Sequence, residues 1–189
     1  AAPAVERLVI LLGDEGRLAA WPGPVTPIVA THAARALARI GKPAVPALIR
    51  EIENVDSPVR RQALRVVGAM GHSARDAMPV LLKTLHDESS TELRQLAFFA
   101  MTSVAPEDDR TTNAFDKLLK DAWPRMRGSA ARAIGTRVPA RREAVPKLIG
   151  LLGDRAGYEM AVADFVVLQA VRCDAAEALG RIGAEADDA

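Results

Sequence analysis

The stretch VRRQALRVVGAMG at Val59–Gly71 returns as VRCDAAEALGRIG at Val171–Gly183, and both read V-R-x-x-A-x-x-x-apolar-G-x-x-G. A chain that spells one amphipathic helix again and again cannot give each copy its own core. The copies must bury their apolar faces against one another, as stacked helical units do. With the arginine of that motif as a mark, the copies fall at 30, 60, 94, 127 and 172, and Ala30 takes the arginine's place in the first. A second series lies between the marks: AVERLVILL (4–12), AVPALIREI (44–52), AMPVLLKTL (77–85), AFDKLLKDA (114–122) and AVPKLIGLL (144–152). Three of these five segments carry proline at the third place, Pro46, Pro79 and Pro146. Proline is tolerated in the first turn of a helix, where its missing N–H would have no partner. Each unit therefore reads as a short helix A, a turn and a longer helix B.

That arrangement predicts an all-α fold, an α-solenoid of about five helix-turn-helix repeats. It places one domain over 1–189, with repeats at 4–41, 44–71, 77–105, 114–138 and 144–183. Apolar residues make up 49% of the chain and aromatics only 4%, which points to a core of Ala, Leu, Val and Ile between closely packed helices. Small residues recur where helix B must approach its neighbours: Ala63, Ala97, Ala130 and Ala175, each followed four residues on by Val67, Met101, Ile134 or Leu179 on the same helical face. Gly41, Gly71 and Gly183 are expected to stop their helices, since glycine accepts the positive φ that ends a helix cleanly.

In detail the units resemble HEAT repeats, and in particular the short bacterial type called phycobilisome-lyase HEAT-like. The matching signature is A-V-P-x-L-I, an Asp in the turn, then V-R-x-x-A-x-x-x-L-G-x-I-G; AVPALIREIENVDSPVRRQALRVVGAMG (44–71) and AVPKLIGLLGD (144–154) carry it most fully. The resemblance extends over almost the whole chain, and the first and last repeats have the longer A–B turns. It implies a structural ladder of Arg60, Arg94, Arg127 and Arg172, bonded to carbonyls and turn carboxylates, for which Asp56, Asp87 and Asp121 are the candidates. It also implies that the B helices line a concave face.

Residue types for catalysis are scattered. His32, His72 and His86 fall in different repeats at different places, and Cys173 is the single cysteine, which excludes an intrachain disulfide or a cysteine-built zinc site. None of the common metal, nucleophile or phosphate-loop motifs is present. The chain is expected to have no catalytic residue, metal site or cofactor. A chromophore-attachment role, from which this repeat type takes its name, would ask more than Cys173 alone supplies. No apolar run approaches the roughly 18 residues that span a bilayer, so no membrane insertion is expected. A start at Ala-Ala-Pro without methionine is expected to reflect something removed upstream, a cleaved leader, an expression boundary or a missing domain.

Binding residues are sought where repeats differ. Five places after each mark, on the outward side of helix B, stand Arg35, Arg65, Phe99, Arg132 and Glu177, with Arg39 and Arg61 beside them. Stacked helices would space them about 10 Å apart. The two tryptophans and the one tyrosine, Trp21, Trp123 and Tyr158, all fall in A–B turns, and such residues are favoured as interface anchors. Residues 120–147 hold Lys120, Arg125, Arg127, Arg132, Arg137, Arg141, Arg142 and Lys147 against Asp121 and Glu143, although the formal net charge is only +1. The expected function is a non-catalytic protein–protein interaction scaffold, with another protein or further domains of the same protein as partner. The alternative is nucleic-acid or polyanion binding through the arginine track, against which the near-neutral charge counts.

Overall fold

The computed structural model describes residues 2–14, 28–136, 142–162 and 165–187. Trp21, most of the turn 13–27, Arg137 and Arg141 lie outside the described residues. The chain forms two compact units, 1–106 and 107–189.

In the first unit the A helices are α1 (Ala2–Leu11), α3 (Val45–Glu53) and α5 (Met78–Asp87), and the B helices are α2 (Ile28–Ile40), α4 (Arg60–Met70) and α6 (Thr91–Val104). Each A helix packs on its own B helix; α3 also touches α1 and α5, and α4 touches α2 and α6. The result is two layers. Pro46 and Pro79 sit in the first turns of α3 and α5, each entered through a short 3₁₀ segment, Lys42–Ala44 or Gly71–Ala77. Gly41 and Gly71 terminate α2 and α4 with φ of 70° and 54°, backbone that only glycine adopts without strain. Ala63, Ala97, Val67 and Met101 are fully buried between the layers, as are Leu48, Ile52, Leu81 and Phe98.

The second unit contains α7 (Asp109–Leu118), α8 (Pro124–Gly135), α9 (Val145–Leu151) and α10 (Val171–Asp187), with a hairpin of β1 (Gly157–Val162) and β2 (Phe165–Ala170) between α9 and α10. Helix α8 packs on α7 and α10, α9 packs on α10, and the hairpin rests β1 against α8 and β2 against α10. Its antiparallel register runs from Gly157 opposite Ala170 to Val162 opposite Phe165. Gly135 lies so close to α10 that a Cβ there would stand 2.4 Å from Ala178 Cα.

Three local expectations change here. Helix α7 starts at Asp109, ahead of AFDKLLKDA, because Asp108 caps it by accepting the Arg110 N–H and no proline fixes a later first turn. Helix α10 runs past Gly183 to Asp187. Glycine in a helix interior costs only about 1 kcal/mol, and burial of Ala178 and Ile182 on the same helix offsets that. The lengthened turn 153–165 is the entry to a hairpin, consistent with its β-branched Val162, Val166 and Val167.

Ala130 is fully buried on α8. Ala130→Leu should overpack the unit and destabilise it by about 1–3 kcal/mol, seen as a lowered urea midpoint at an unchanged slope. An unmoved midpoint would show that the helix B register is misassigned.

Candidate interaction surface

The arginines at the repeat mark divide. Arg60 donates from Nε to the Ile52 carbonyl at 2.7 Å, and its Nη1 pairs with Glu88. Arg94 donates to the Leu85 carbonyl at 2.9 Å. Arg127 donates to the Asp121 and Ala122 carbonyls at 2.7 and 3.1 Å and pairs with Asp154 at 2.7 Å. In each case the guanidinium reaches carbonyls at or just beyond the end of helix A, groups that have no partner within the helix. Arg172 is exposed and makes no such bond among the described residues. Strand β2 runs directly into α10, so no A–B turn presents a carbonyl beside it.

The carboxylates also differ from expectation. Asp56 is exposed, because Arg60 is turned toward Ile52 and Glu88. Asp121 takes part through its main-chain carbonyl, while its side chain accepts the Trp123 N–H at 2.9 Å. The side chain of Asp87 lies outside the described residues. Burial opposes ionisation of Glu88, but the Ser90 N–H and Arg60 hold its carboxyl below the ordinary value of 4.5. Asp154 is held below 3.8 by Arg127, against burial and with help from the Ala156 N–H.

On the outer side of the B helices in the first unit, Arg35 and Arg39 are exposed on α2. Arg61 and Arg65 on α4 share one carboxylate, Glu92, at 3.1 and 3.9 Å. Phe99 is 44% exposed on α6 beside the fully buried Phe98, with ring centroids 5.7 Å apart. Between α2 and α4 runs a groove of about 340 Å³. Its apolar lining is Leu12, Ala30, Ala34, Ala38, Val66 and Ala69, and Arg35 and Arg65 stand on its two walls.

In the second unit the structure overturns two expectations. Tyr158 was to be an exposed turn anchor, but it is 8% exposed. Arg132 was to point outward in a track, but its Nη1 is bonded to Asp174 at 3.2 Å. Both belong to a buried clasp. Asp174, at the first turn of α10, has no exposed surface. Its Oδ2 accepts the Tyr158 hydroxyl at 2.6 Å, and its Oδ1 accepts Arg132 and the Gln169 amide, each at 3.2 Å. Three donors meet the requirement that a buried carboxylate be paired and hydrogen-bonded. Burial first, and then the bond to Asp174, push the Tyr158 phenol above its ordinary value of 10.0, against the charges of Arg132 and Arg125; the hydroxyl stays a donor. Gly128 makes room, since a Cβ there would lie 2.4 Å from Asp174 Oδ2 and 2.5 Å from the Tyr158 hydroxyl. The sequence offered one sign of this clasp, a glycine inside helix α8.

Of the remaining candidates, Trp123 is 45% exposed ahead of α8. The basic segment is partly neutralised in space, with Lys147 on Asp116 at 2.7 Å and Arg127 and Arg132 paired as above. His32, His86 and Cys173 are exposed and apart, and a His72 ring nitrogen lies 3.0 Å from the Val104 carbonyl. Among the described residues no three of His, Cys, Asp and Glu are grouped to hold a metal, and no helix is long and apolar enough to cross a membrane.

The family model for HEAT repeats matches residues 26–102. No curated protein matches the sequence. Among solved structures, the complex of CpcE and CpcF of phycocyanin lyase from Nostoc sp. PCC7120 is similar over 95% of this chain and 99% of that one, at 18% identity and a TM-score of 0.66. An engineered protein is similar over 94% of this chain and 78% of its own, at 23% identity and a TM-score of 0.53. At these identities the likeness is one of fold.

Tyr158→Phe leaves Asp174 Oδ2 buried without its donor and should cost about 1–3 kcal/mol in urea unfolding. A loss below about 0.5 kcal/mol would mean that the hydroxyl bond contributes no more than an ordinary surface contact. The lowered carboxyls of Glu88 and Asp154 contribute stability that is present above their unfolded values and lost as pH falls through the folded ones. Glu88→Gln with Asp154→Asn should therefore flatten the fall in melting temperature between about pH 5 and pH 2; an unaltered acid limb would place the dependence on other carboxylates.

Proposed function

We propose that the chain, whose residues 26–102 match the HEAT-repeat model, is a HEAT-repeat solenoid throughout and acts as a non-catalytic protein–protein interaction scaffold. It meets its partner with the outer B-helix face of the 1–106 unit. The observation that carries this reading is the groove between α2 and α4, with its apolar lining and an arginine on each wall, together with the exposed ring of Phe99 on α6, the helix packed on α4. Aromatic and arginine side chains around an apolar centre are what interface cores are enriched in. HEAT repeats generally mediate contacts between proteins, and the fold neighbour CpcE–CpcF is itself a complex of two proteins. Trp123, exposed in the other unit, is the aromatic that still supports a contact at a turn edge.

The polyanion alternative loses support from the ion pairs. Arg132 is occupied by Asp174, and Arg61 is paired with Glu92 at 3.1 Å. Counterion release, which drives such binding, needs cations free to neutralise phosphates.

A photocrosslinking phenylalanine analogue at position 99 tests the reading, with the same group at Glu53, exposed on α3, as control. Adducts to another protein are expected at 99, absent at 53 and lost when Arg65→Glu is added. Equal adducts at both positions would show no preferred face. Steeply salt-dependent binding of a mixed-sequence duplex would favour the polyanion reading instead.

A further inference from the structure

Resting on the reading that this face binds protein, we infer that the groove between α2 and α4 takes an acidic amphipathic helix of the partner. Its apolar stripe enters the groove, and Asp or Glu side chains on both flanks meet Arg35 and Arg65.

The walls decide the conformation of the occupant. Both are helices, whose backbone N–H and C=O groups are already paired along the helix axis. An extended segment laid between them would bury peptide groups with nothing to pair them, whereas strand addition relies on an open sheet edge. A helix arrives with its own groups satisfied. Besides the two arginines, the polar lining among the described residues is Thr31 and Gln62, too little to clothe an extended backbone.

The small side chains decide how close it comes. Ala30, Ala34 and Ala38 form one row along α2 at successive steps of four residues, so this wall ends at Cβ for about 12 Å, a little over two turns. Such a row is a shallow channel into which the ridge of a facing helix settles, with axes about 8 Å apart. Two turns match apolar anchors at places i, i+3 or i+4, and i+7 of the partner.

Charge decides the flanks. Helices α2 and α4 contain no acidic residue and carry Arg35, Arg39, Arg60, Arg61 and Arg65. Arg60 is held inside by Ile52 and Glu88. The others are exposed, and among the described residues Glu92 on α6 pairs with Arg61 at 3.1 Å and reaches Arg65 only at 3.9 Å. A basic partner helix would meet like charge on both walls, and a neutral one would add no counter-charge to Arg35 and leave Arg65 with only the distant Glu92.

The test is a displayed library of helical peptides of about 18 residues, long enough to hold helix in water, with every position other than three apolar anchors randomised. It is selected on the full chain, and the enriched peptide is then labelled and titrated by anisotropy. Enrichment of Asp and Glu beside the anchors is expected. Affinity should fall at least about tenfold, or 1.4 kcal/mol, when those residues become Lys, when a central proline breaks the helix, and in Arg35→Glu with Arg65→Glu. Ala34→Phe, which fills the groove, should act alike, and Trp123→Ala should change nothing. Thermal melts establish that each variant is folded; if Ala34→Phe is not, the charge pair carries the test. Enrichment of basic, proline-rich or extended peptides, no enrichment at all, or affinity indifferent to the groove variants would overturn the proposal. Any of these with the adduct at position 99 intact rejects the acidic helix alone, while loss of the adduct as well rejects the face.

Discussion

Neighbouring B helices within each unit meet almost backbone to backbone, and the rest of the architecture follows from that spacing. At Gly135 a Cβ would come within 2.4 Å of Ala178 Cα, and at Gly68 one would stand 3.4 Å from Ala100 Cα. Helices that close leave no layer for large rings between them. The buried apolar residues are accordingly Ala, Val, Leu, Ile and Met, with Phe98 and Phe115 as the fully buried aromatics among the described residues. The same spacing brings the outer walls of α2 and α4 together as a groove rather than as two separate ridges, so the candidate surface is a product of the packing beneath it.

Stacked helices carry a second cost, since every A helix ends in carbonyls with no partner. Arg60, Arg94 and Arg127 answer it from the next helix in the chain, reaching back to Ile52, Leu85 and the Asp121–Ala122 pair. A cation at that end also matches the helix dipole. Glu88 and Asp154 balance two of the three charges. One arginine thus joins the two helices of its own repeat to a carboxylate lying beyond them in sequence, which is why the motif places it at the first turn of helix B.

Much of the fold was legible because stacking demands repetition, and repetition shows in the letters. The alanine column, the first-turn prolines at 46, 79 and 146 and the positive-φ glycines at 41 and 71 have physical roles that repeat along the chain. The misreadings fall where a residue's role depends on a partner distant in sequence. Tyr158 reads as an exposed turn aromatic until Asp174, sixteen residues away, is known to be buried beside it. Arg132 occupies the same repeat place as Arg35 and Arg65, yet only it faces a buried carboxylate. The hairpin was hidden for a related reason, since a strand pair in a helical array obeys no period of its own. On the candidate surface, the arginines and Phe99 could be named from register, but the groove follows from how α2 packs beside α4.

The clasp on Asp174 seizes the hairpin at one end. Tyr158 and Gln169 face each other one rung from its base, and both bond the same carboxylate, while Val171 at the junction bonds back to Ala156. Anchored there, the ribbon can be lengthened or shortened at its far end by whole rungs, because adding one residue to each strand preserves the pairing at the base. A change of hairpin length at that end would therefore leave the bonds that tie its base to α10 as they are.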